Sequence, residues 1–135
     1  MKVVLDTNVL VSGVFFGGQP GKILSAWRDD KIQLVLSTEI LEEYIEVLQR
    51  LGMLYPPIDV KPVIELILAN FEIITVSPLK EPISPDSDDD KFIACALAAK
   101  AEVIISGDKH LLDVSGYEGI GIVKPSEFIK KYLKD

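Results

Sequence analysis

The chain has 135 residues and a net charge of −7 at neutral pH, with 48% apolar and 26% charged residues. This length predicts one domain over residues 1–135, and the composition excludes a disordered chain. Apolar runs end well short of the ~18 residues that a membrane helix needs, so no membrane association is expected. The negative net charge excludes nucleic-acid binding through overall positive charge, although a metal ion would make the electrostatic potential of one pocket positive.

Two features predict a cytoplasmic location. Asp6 falls where a secretory signal would need its apolar core. Cys95 is the only cysteine, so it cannot form a disulfide within the chain, which suits a reducing compartment. Its apolar neighbours predict a small core residue.

Strands and helices are predicted to alternate in the first half of the chain. "KVVLD" indicates a buried strand, "PGKILSAWRDDK" a helix and "IQLVLS" a second strand. The amphipathic helix "STEILEEYIEVLQRLG" follows, with Ser37 or Thr38 as its N-cap and Gly52 at its end.

The alternation continues in the second half. The predicted elements are the helix "DVKPVIELILANF", the strand "EIITV", an aspartate-rich helix, the strand "EVIIS", a short helix "DKHLL", the strand "GIGIV" and a closing helix "PSEFIKKYLK". Apolar strands separated by helices are typical of a parallel sheet covered on both faces. The sequence therefore predicts a three-layer α/β/α sandwich of about five parallel strands. Ligands in such folds bind beyond the carboxyl ends of the strands.

Four acids are predicted to meet at that edge. Asp6 ends the first strand, Asp108 ends "EVIIS", and Asp90 lies in the first turn of the aspartate-rich helix. At 100° per residue, Glu43 lies at the edge of the apolar stripe of its helix, whereas the other glutamates of that helix point away. Turn formation, helix capping or plain solvation would explain each acid singly.

The stretch "SPDSDDDK" crowds four aspartates against an apolar helix. The helix dipole, or a capping box of Ser87 and Asp90, would explain one or two of them. Adjacent like charges repel, so a bound cation explains the crowding better. Hard ions such as Mg²⁺ and Mn²⁺ prefer carboxylate oxygens. His110 is the only histidine, which disfavours a His-based zinc site or a Ser–His–Asp triad.

Four segments resemble the PIN-domain family, in particular the toxin components of toxin–antitoxin systems. They are "VVLDTNVLVSG", "LSTEILEEYIEVLQR", "DSDDDKFIACALAAKAEVIISGDKHLL" and "IVKPSEFI", in family order. The resemblance implies a Mg²⁺- or Mn²⁺-dependent endoribonuclease with one or two ions, whose acids map onto Asp6, Glu43, Asp90 and Asp108. It also implies an RNA substrate, a protein antitoxin, a homodimer, and products with a 5′-phosphate and a 3′-hydroxyl.

The resemblance assigns supporting roles as well. Thr7, Asn8 and Ser106 fall where the family often has polar residues that support the site, with capping and turn formation as the alternative. Asp86 or Asp88 is expected to bind a metal-bound water, and Asp89 to face solvent. His110 departs from the family, where another acid is expected, so the number of ions stays open. Candidates to hold RNA phosphates are Lys22, Arg28, Lys91, Lys109 and His110.

Two other functions fit parts of the pattern. A non-catalytic module that binds RNA or a protein would keep the fold without activity, although four intact acids argue against it. A phosphoacceptor receiver domain also combines a parallel sheet with acids that bind Mg²⁺. It requires paired acids after the first strand and a lysine after a late strand, whereas "LDTN" has a single acid and "IISGD" has an acid in place of the lysine.

Overall fold

Five parallel strands form one sheet in the computed structural model, which describes residues 1–133. The predicted α/β/α architecture is confirmed, because helices cover this sheet on both faces. The apolar residues of Lys2–Leu5, Gln33–Leu36 and Val103–Ile105 are buried, as predicted from their composition, whereas Ile73 in the edge strand Glu72–Ile73 is exposed. The strands are β1 (Lys2–Leu5), β2 (Gln33–Leu36), β3 (Glu72–Ile73), β4 (Val103–Ile105) and β5 (Gly121–Val123).

The strand order, β3-β2-β1-β4-β5, places the start of the chain in the middle of the sheet. Val3 of β1 is in register with Leu34 of β2 on one side and with Val103 of β4 on the other. The chain adds β2 and β3 on one side of β1 and then returns to add β4 and β5 on the other. The order of the strands therefore reverses between β1 and β4, and the carboxyl ends of these two strands flank the crevice where such folds bind ligands.

Seven α-helices and two short 3₁₀ turns connect the strands within residues 1–133. The 3₁₀ turns are Ser87–Asp89 and Tyr117–Gly119. No helix in this part of the chain is long and apolar enough to cross a membrane. The helices are α1 (Thr7–Phe15), α2 (Gly18–Arg28), α3 (Thr38–Leu54), α4 (Lys61–Asn70), α5 (Asp90–Ala99), α6 (Lys109–Leu112) and α7 (Pro125–Tyr132).

Three predictions about these elements were incomplete or wrong. Helix α1 was not predicted, since its valine-rich sequence has weak helix propensity and packing overrides that preference. Helix α3 continues to Leu54 instead of ending at Gly52, where an added Cβ would lie 3.3 Å from Val60 Cγ1. Strand β3 is shorter than predicted, and the closing helix was predicted to reach Lys134, which lies outside the described residues.

One part of the core lies between the sheet and α5, which packs on β1, β2 and β4. Phe92, Ile93 and Cys95 of α5 are buried against those strands. Cys95 is fully buried, which confirms the prediction of a small core residue, and this burial raises the pKa of its thiol to about 11. A rigid core under β1 and β4 holds the strand ends that carry the acids.

Candidate functional site

Ser106 joins the two acids that follow β1 and β4. Its side chain is fully buried, and its Oγ donates a hydrogen bond of 2.7 Å to Asp6 Oδ2. The same Oγ accepts a hydrogen bond of 2.9 Å from the backbone N–H of Asp108. The Asp6 backbone N–H donates to the Ile105 carbonyl oxygen at 3.0 Å, which extends the pairing of β1 with β4. Asp6 and Asp108 are thus held together at the carboxyl edge of the sheet.

Asp6 is held in an environment that opposes its negative charge. Its side chain is almost completely buried, and this burial raises its pKa above the ordinary value. Hydrogen bonds from Ser106 and from the backbone N–H of Asn8 lower the pKa in part, whereas the charges of Asp108 and Glu43 raise it further. Asp6 therefore lies in a partly desolvated environment with a negative potential, which a bound cation would relieve.

Glu43 reaches the same region from α3. Its neighbour Tyr44 is buried and donates its hydroxyl to the Leu5 carbonyl oxygen, which anchors α3 to the end of β1. Thr7 Oγ1, at the start of α1, donates a hydrogen bond to Glu43 Oε2. Lys91 Nζ lies 2.9 Å from Glu43 Oε1. Glu43 is the glutamate of α3 that the helical phase directed toward the cleft, and in the structure its carboxylate contacts both α1 and α5.

The prediction that Asp89 faces solvent was wrong. Asp89 is 7% exposed, and its Oδ2 has no hydrogen-bond partner among residues 1–133. Burial raises its pKa to about 6, with further contributions from the charges of Asp108, Asp6 and Asp86, while Lys91 lowers it. Asp89, more than Asp90, is the carboxylate of the aspartate-rich stretch that faces the acids of the sheet edge.

Asp90 was predicted to be a metal ligand, a role that stays a prediction, and its carboxylate accepts hydrogen bonds from the preceding loop. Its Oδ1 accepts a hydrogen bond of 2.8 Å from the Ser84 backbone N–H, and its Oδ2 accepts one of 3.2 Å from that of Ile83. Within residues 1–133, Ser87 and Asp90 do not form the side-chain hydrogen bonds of the predicted capping box. The 3₁₀ turn is capped by Asp86, whose Oδ1 accepts a hydrogen bond of 3.0 Å from the Asp88 N–H. This turn rotates Asp89 inward and Asp90 toward the loop.

Replacing Asp90 with Ala is expected to destabilise the protein by about 1–3 kcal/mol, because two part-buried backbone N–H groups lose their acceptor. Asp90→Asn should cost less, since an amide oxygen still accepts one of these bonds. Urea unfolding of the two variants and of the wild type measures the difference. Equal stability of Asp90→Ala and wild type would contradict the loop-supporting role.

The remaining predicted site residues lie at the rim. Asp108 is partly exposed, and its Oδ1 accepts a hydrogen bond of 2.7 Å from the His110 N–H, so it also caps α6. Asn8, Asp86, Asp88, Lys109 and His110 are exposed. Lys22 and Arg28 are exposed on α2. Lys91, by contrast, is turned inward, with a side chain that is only 10% exposed.

The acids suit a hard cation that keeps part of its water shell. Within residues 1–133, no three Asp, Glu, His or Cys side chains converge closely enough to hold an ion directly. The buried Asp89 Oδ2 without a partner nevertheless supplies an unused carboxylate oxygen beside Asp6 and Asp108. Mg²⁺ binds through one or two carboxylates and retains several waters, so this donor set fits it without a closed cage of protein ligands.

Comparison with known proteins identifies the fold family. The family model described as PIN domain matches residues 2–110. The chain belongs to the PIN-domain family. PIN domains are generally nucleases, and typically depend on metal ions. No curated protein and no solved structure gave a significant match.

The matched part of this PIN domain contains every acid discussed above, and the segment "IVKPSEFI" lies beyond it. Sequence reasoning missed the inward position of Asp89 and the pairing of Lys91 with Glu43. A signal for Asp89 was present, since it lies three and four residues before the buried Phe92 and Ile93 and so shares their helical face. The 3₁₀ turn extends that face to Asp89.

Proposed function

We propose that this PIN domain is a Mg²⁺- or Mn²⁺-dependent endoribonuclease. The observation that carries the proposal is the buried, unpartnered Asp89 carboxylate oxygen beside Asp6 and Asp108 at the carboxyl edge of the sheet. Asp6, Asp89 and Asp108 would surround a hydrated ion and hold it partly through its retained waters, with Glu43 bound to it through water. When bound, the ion supplies a water of lowered pKa and neutralises charge on the phosphodiester.

The residues around these acids prepare the site for an attacking water. Ser106 fixes the orientation of Asp6, and Thr7 fixes that of Glu43. Glu43, which is half-buried and held at both oxygens, orients the nucleophilic water by accepting its hydrogen bond. Lys109 and His110 follow Asp108 directly and are exposed, so they hold phosphates of the flanking RNA. Attack in line with the 3′-oxygen leaves a 5′-phosphate and a 3′-hydroxyl.

A narrower proposal concerns the biological setting. The four segments that resemble toxin components support a cytoplasmic ribonuclease toxin that acts as a homodimer and is restrained by a protein antitoxin. This proposal is separate from the chemistry, because the same acids would serve any PIN-domain nuclease. Co-expression of the chain with proteins encoded beside its gene, followed by growth measurement, tests it. Growth arrest that no neighbouring protein relieves would count against the antitoxin.

The chemical proposal predicts cleavage of RNA only with a divalent ion. The purified chain, incubated with a pool of single-stranded and structured RNA, should cut it with Mg²⁺ or Mn²⁺ and stop when EDTA is added. Mapping the cut ends should show 5′-phosphates. Cleavage that persists unchanged in EDTA would refute the metal-dependent mechanism.

The same preparation separates the two alternatives. A non-catalytic module would bind the RNA pool in a gel-shift assay without cutting it under any divalent ion. A receiver domain would take up a phosphoryl group from acetyl phosphate. We expect cleavage and no phosphorylation, since several aspartates act on one another's charge at this sheet edge, whereas a receiver domain presents one acceptor beside a lysine that ends a late strand.

A further inference from the structure

Lys91 occupies an unusual position for a lysine. Its Nζ lies 2.9 Å from Glu43 Oε1 and 2.6 Å from the Asp88 carbonyl oxygen, and 5.0 Å from the centroid of the Phe92 ring. Its side chain is 10% exposed, although lysine usually extends its ammonium into solvent. Two acceptors and an aromatic face therefore hold the positive charge within the protein.

The charges around Lys91 explain why an ammonium is retained there. Glu43, Asp6, Asp89 and Asp108 carry negative charge in a partly desolvated region. Within residues 1–133, Lys91 is the only basic side chain within salt-bridge distance of any of these acids. Buried carboxylates are costly unless a counter-charge accompanies them. Lys91 supplies that counter-charge from the first turn of α5.

We propose that Lys91 is a built-in counter-ion that holds Glu43 in position and competes electrostatically with the divalent cation for the acidic site. This inference rests on the proposed metal-dependent function. It replaces the expectation that Lys91 holds RNA phosphate, because the Lys91 ammonium is engaged with Glu43 and the Asp88 carbonyl. Lys91 is thus a positioning residue, and its charge limits how tightly the site binds metal.

Direct measurement of Mn²⁺ binding tests the competition. The full chain and the variants Lys91→Met, Lys91→Gln and Lys91→Arg would be titrated with MnCl₂ in a calorimeter at neutral pH and low salt. Loss of the positive charge should tighten Mn²⁺ binding by about tenfold in Lys91→Met and Lys91→Gln. Lys91→Arg, which keeps the charge, should bind as the wild type does. Lys130→Met, the same charge change at an exposed position of α7, should leave binding unchanged.

Kinetics at saturating Mn²⁺ separate positioning from substrate contact. Lys91→Met should lower kcat about tenfold or more with KM for RNA nearly unchanged, because Glu43 loses the partner that fixes it. A raised KM with unchanged kcat would assign Lys91 to phosphate binding and overturn the proposal. Unchanged or weaker Mn²⁺ binding by the folded Lys91→Met and Lys91→Gln proteins would also overturn it.

Mn²⁺ binding by the wild type distinguishes failure of the proposed metal-dependent function from failure of the proposed role of Lys91. Wild-type protein that binds no Mn²⁺ would refute the metal-dependent function itself. Wild-type protein that binds Mn²⁺, with variants that do not differ from it, would refute only the role of Lys91. Far-ultraviolet circular dichroism of each variant before titration confirms that the folded state is compared.

Discussion

Replacing Asp89 with Asn is expected to reduce RNA cleavage by about 100-fold or more, the largest effect of any change in the aspartate-rich stretch. The variant keeps the shape of the side chain and removes one carboxylate oxygen that would bind the metal. Loss of about 3 kcal/mol of transition-state stabilisation corresponds to such a factor. The measurement is kcat/KM for a single-stranded RNA at saturating Mg²⁺.

Two matched variants make this result specific to position 89. Asp90→Asn removes the neighbouring charge and should retain most of the activity, since Asp90 binds the loop at Ile83 and Ser84. Asp59→Asn removes an exposed acid at the start of α4, where an amide oxygen replaces the carboxylate as acceptor for the Lys61 N–H, and it should behave as the wild type. Abolished activity in Asp90→Asn with normal activity in Asp89→Asn would support Asp90 as the ligand, as the sequence predicts, and contradict the role proposed for Asp89.

The same Asp89→Asn variant is expected to be more stable than wild type in EDTA at pH 7.5, by about 1–3 kcal/mol. The folded-state pKa of Asp89 is about 6, against 3.8 for an unperturbed side chain. Ionisation of Asp89 therefore opposes folding fully above about pH 6. The penalty shrinks between about pH 6 and pH 4, where the folded state holds the proton, and is absent below the unfolded pKa.

Thermal melts at several pH values measure this difference. The gap in Tm between the variant and wild type should be several degrees at pH 7.5 and should close as the pH falls toward 4. Excess Mg²⁺ should raise the Tm of wild type through linkage and affect the variant much less. A variant that melts below wild type in EDTA at pH 7.5 would show that favourable contacts stabilise the Asp89 carboxylate, and would contradict its role as an unpartnered metal ligand.

Sequence patterns were sufficient to predict those strands and helices in which apolar residues recur with the period of the element. The apolar strands, the amphipathic α3 and the cap at Ser37, whose Oγ accepts from the Ile40 N–H at 3.2 Å, were predicted because each leaves a local signal. The edge positions of Asp6 and Asp108 followed from the strand ends. Helix α1 leaves no comparable signal, because valine-rich segments suit both strand and helix.

Local sequence patterns did not determine which aspartate of the stretch at residues 86–90 points toward the sheet edge. Asp90 was predicted to be the ligand because it lies in the first turn of the aspartate-rich helix and matches a family acid. A 3₁₀ turn precedes it, and the loop at Ile83 and Ser84 requires an acceptor that Asp90 provides. The pairing of Lys91 with Glu43 joins residues 48 positions apart and becomes visible only when α3 and α5 meet.

The hydrogen bond from the Tyr44 hydroxyl to the Leu5 carbonyl oxygen fixes the first part of α3 relative to the end of β1. It joins the residues that adjoin Glu43 and Asp6, so the spacing of these acids is set near the start of α3. Leu48, farther along α3, is also buried in the core, whereas Met53, Leu54 and Tyr55 at the far end of the helix are exposed. A substitution confined to that exposed end would therefore leave in place the contact that sets the spacing of the two acids.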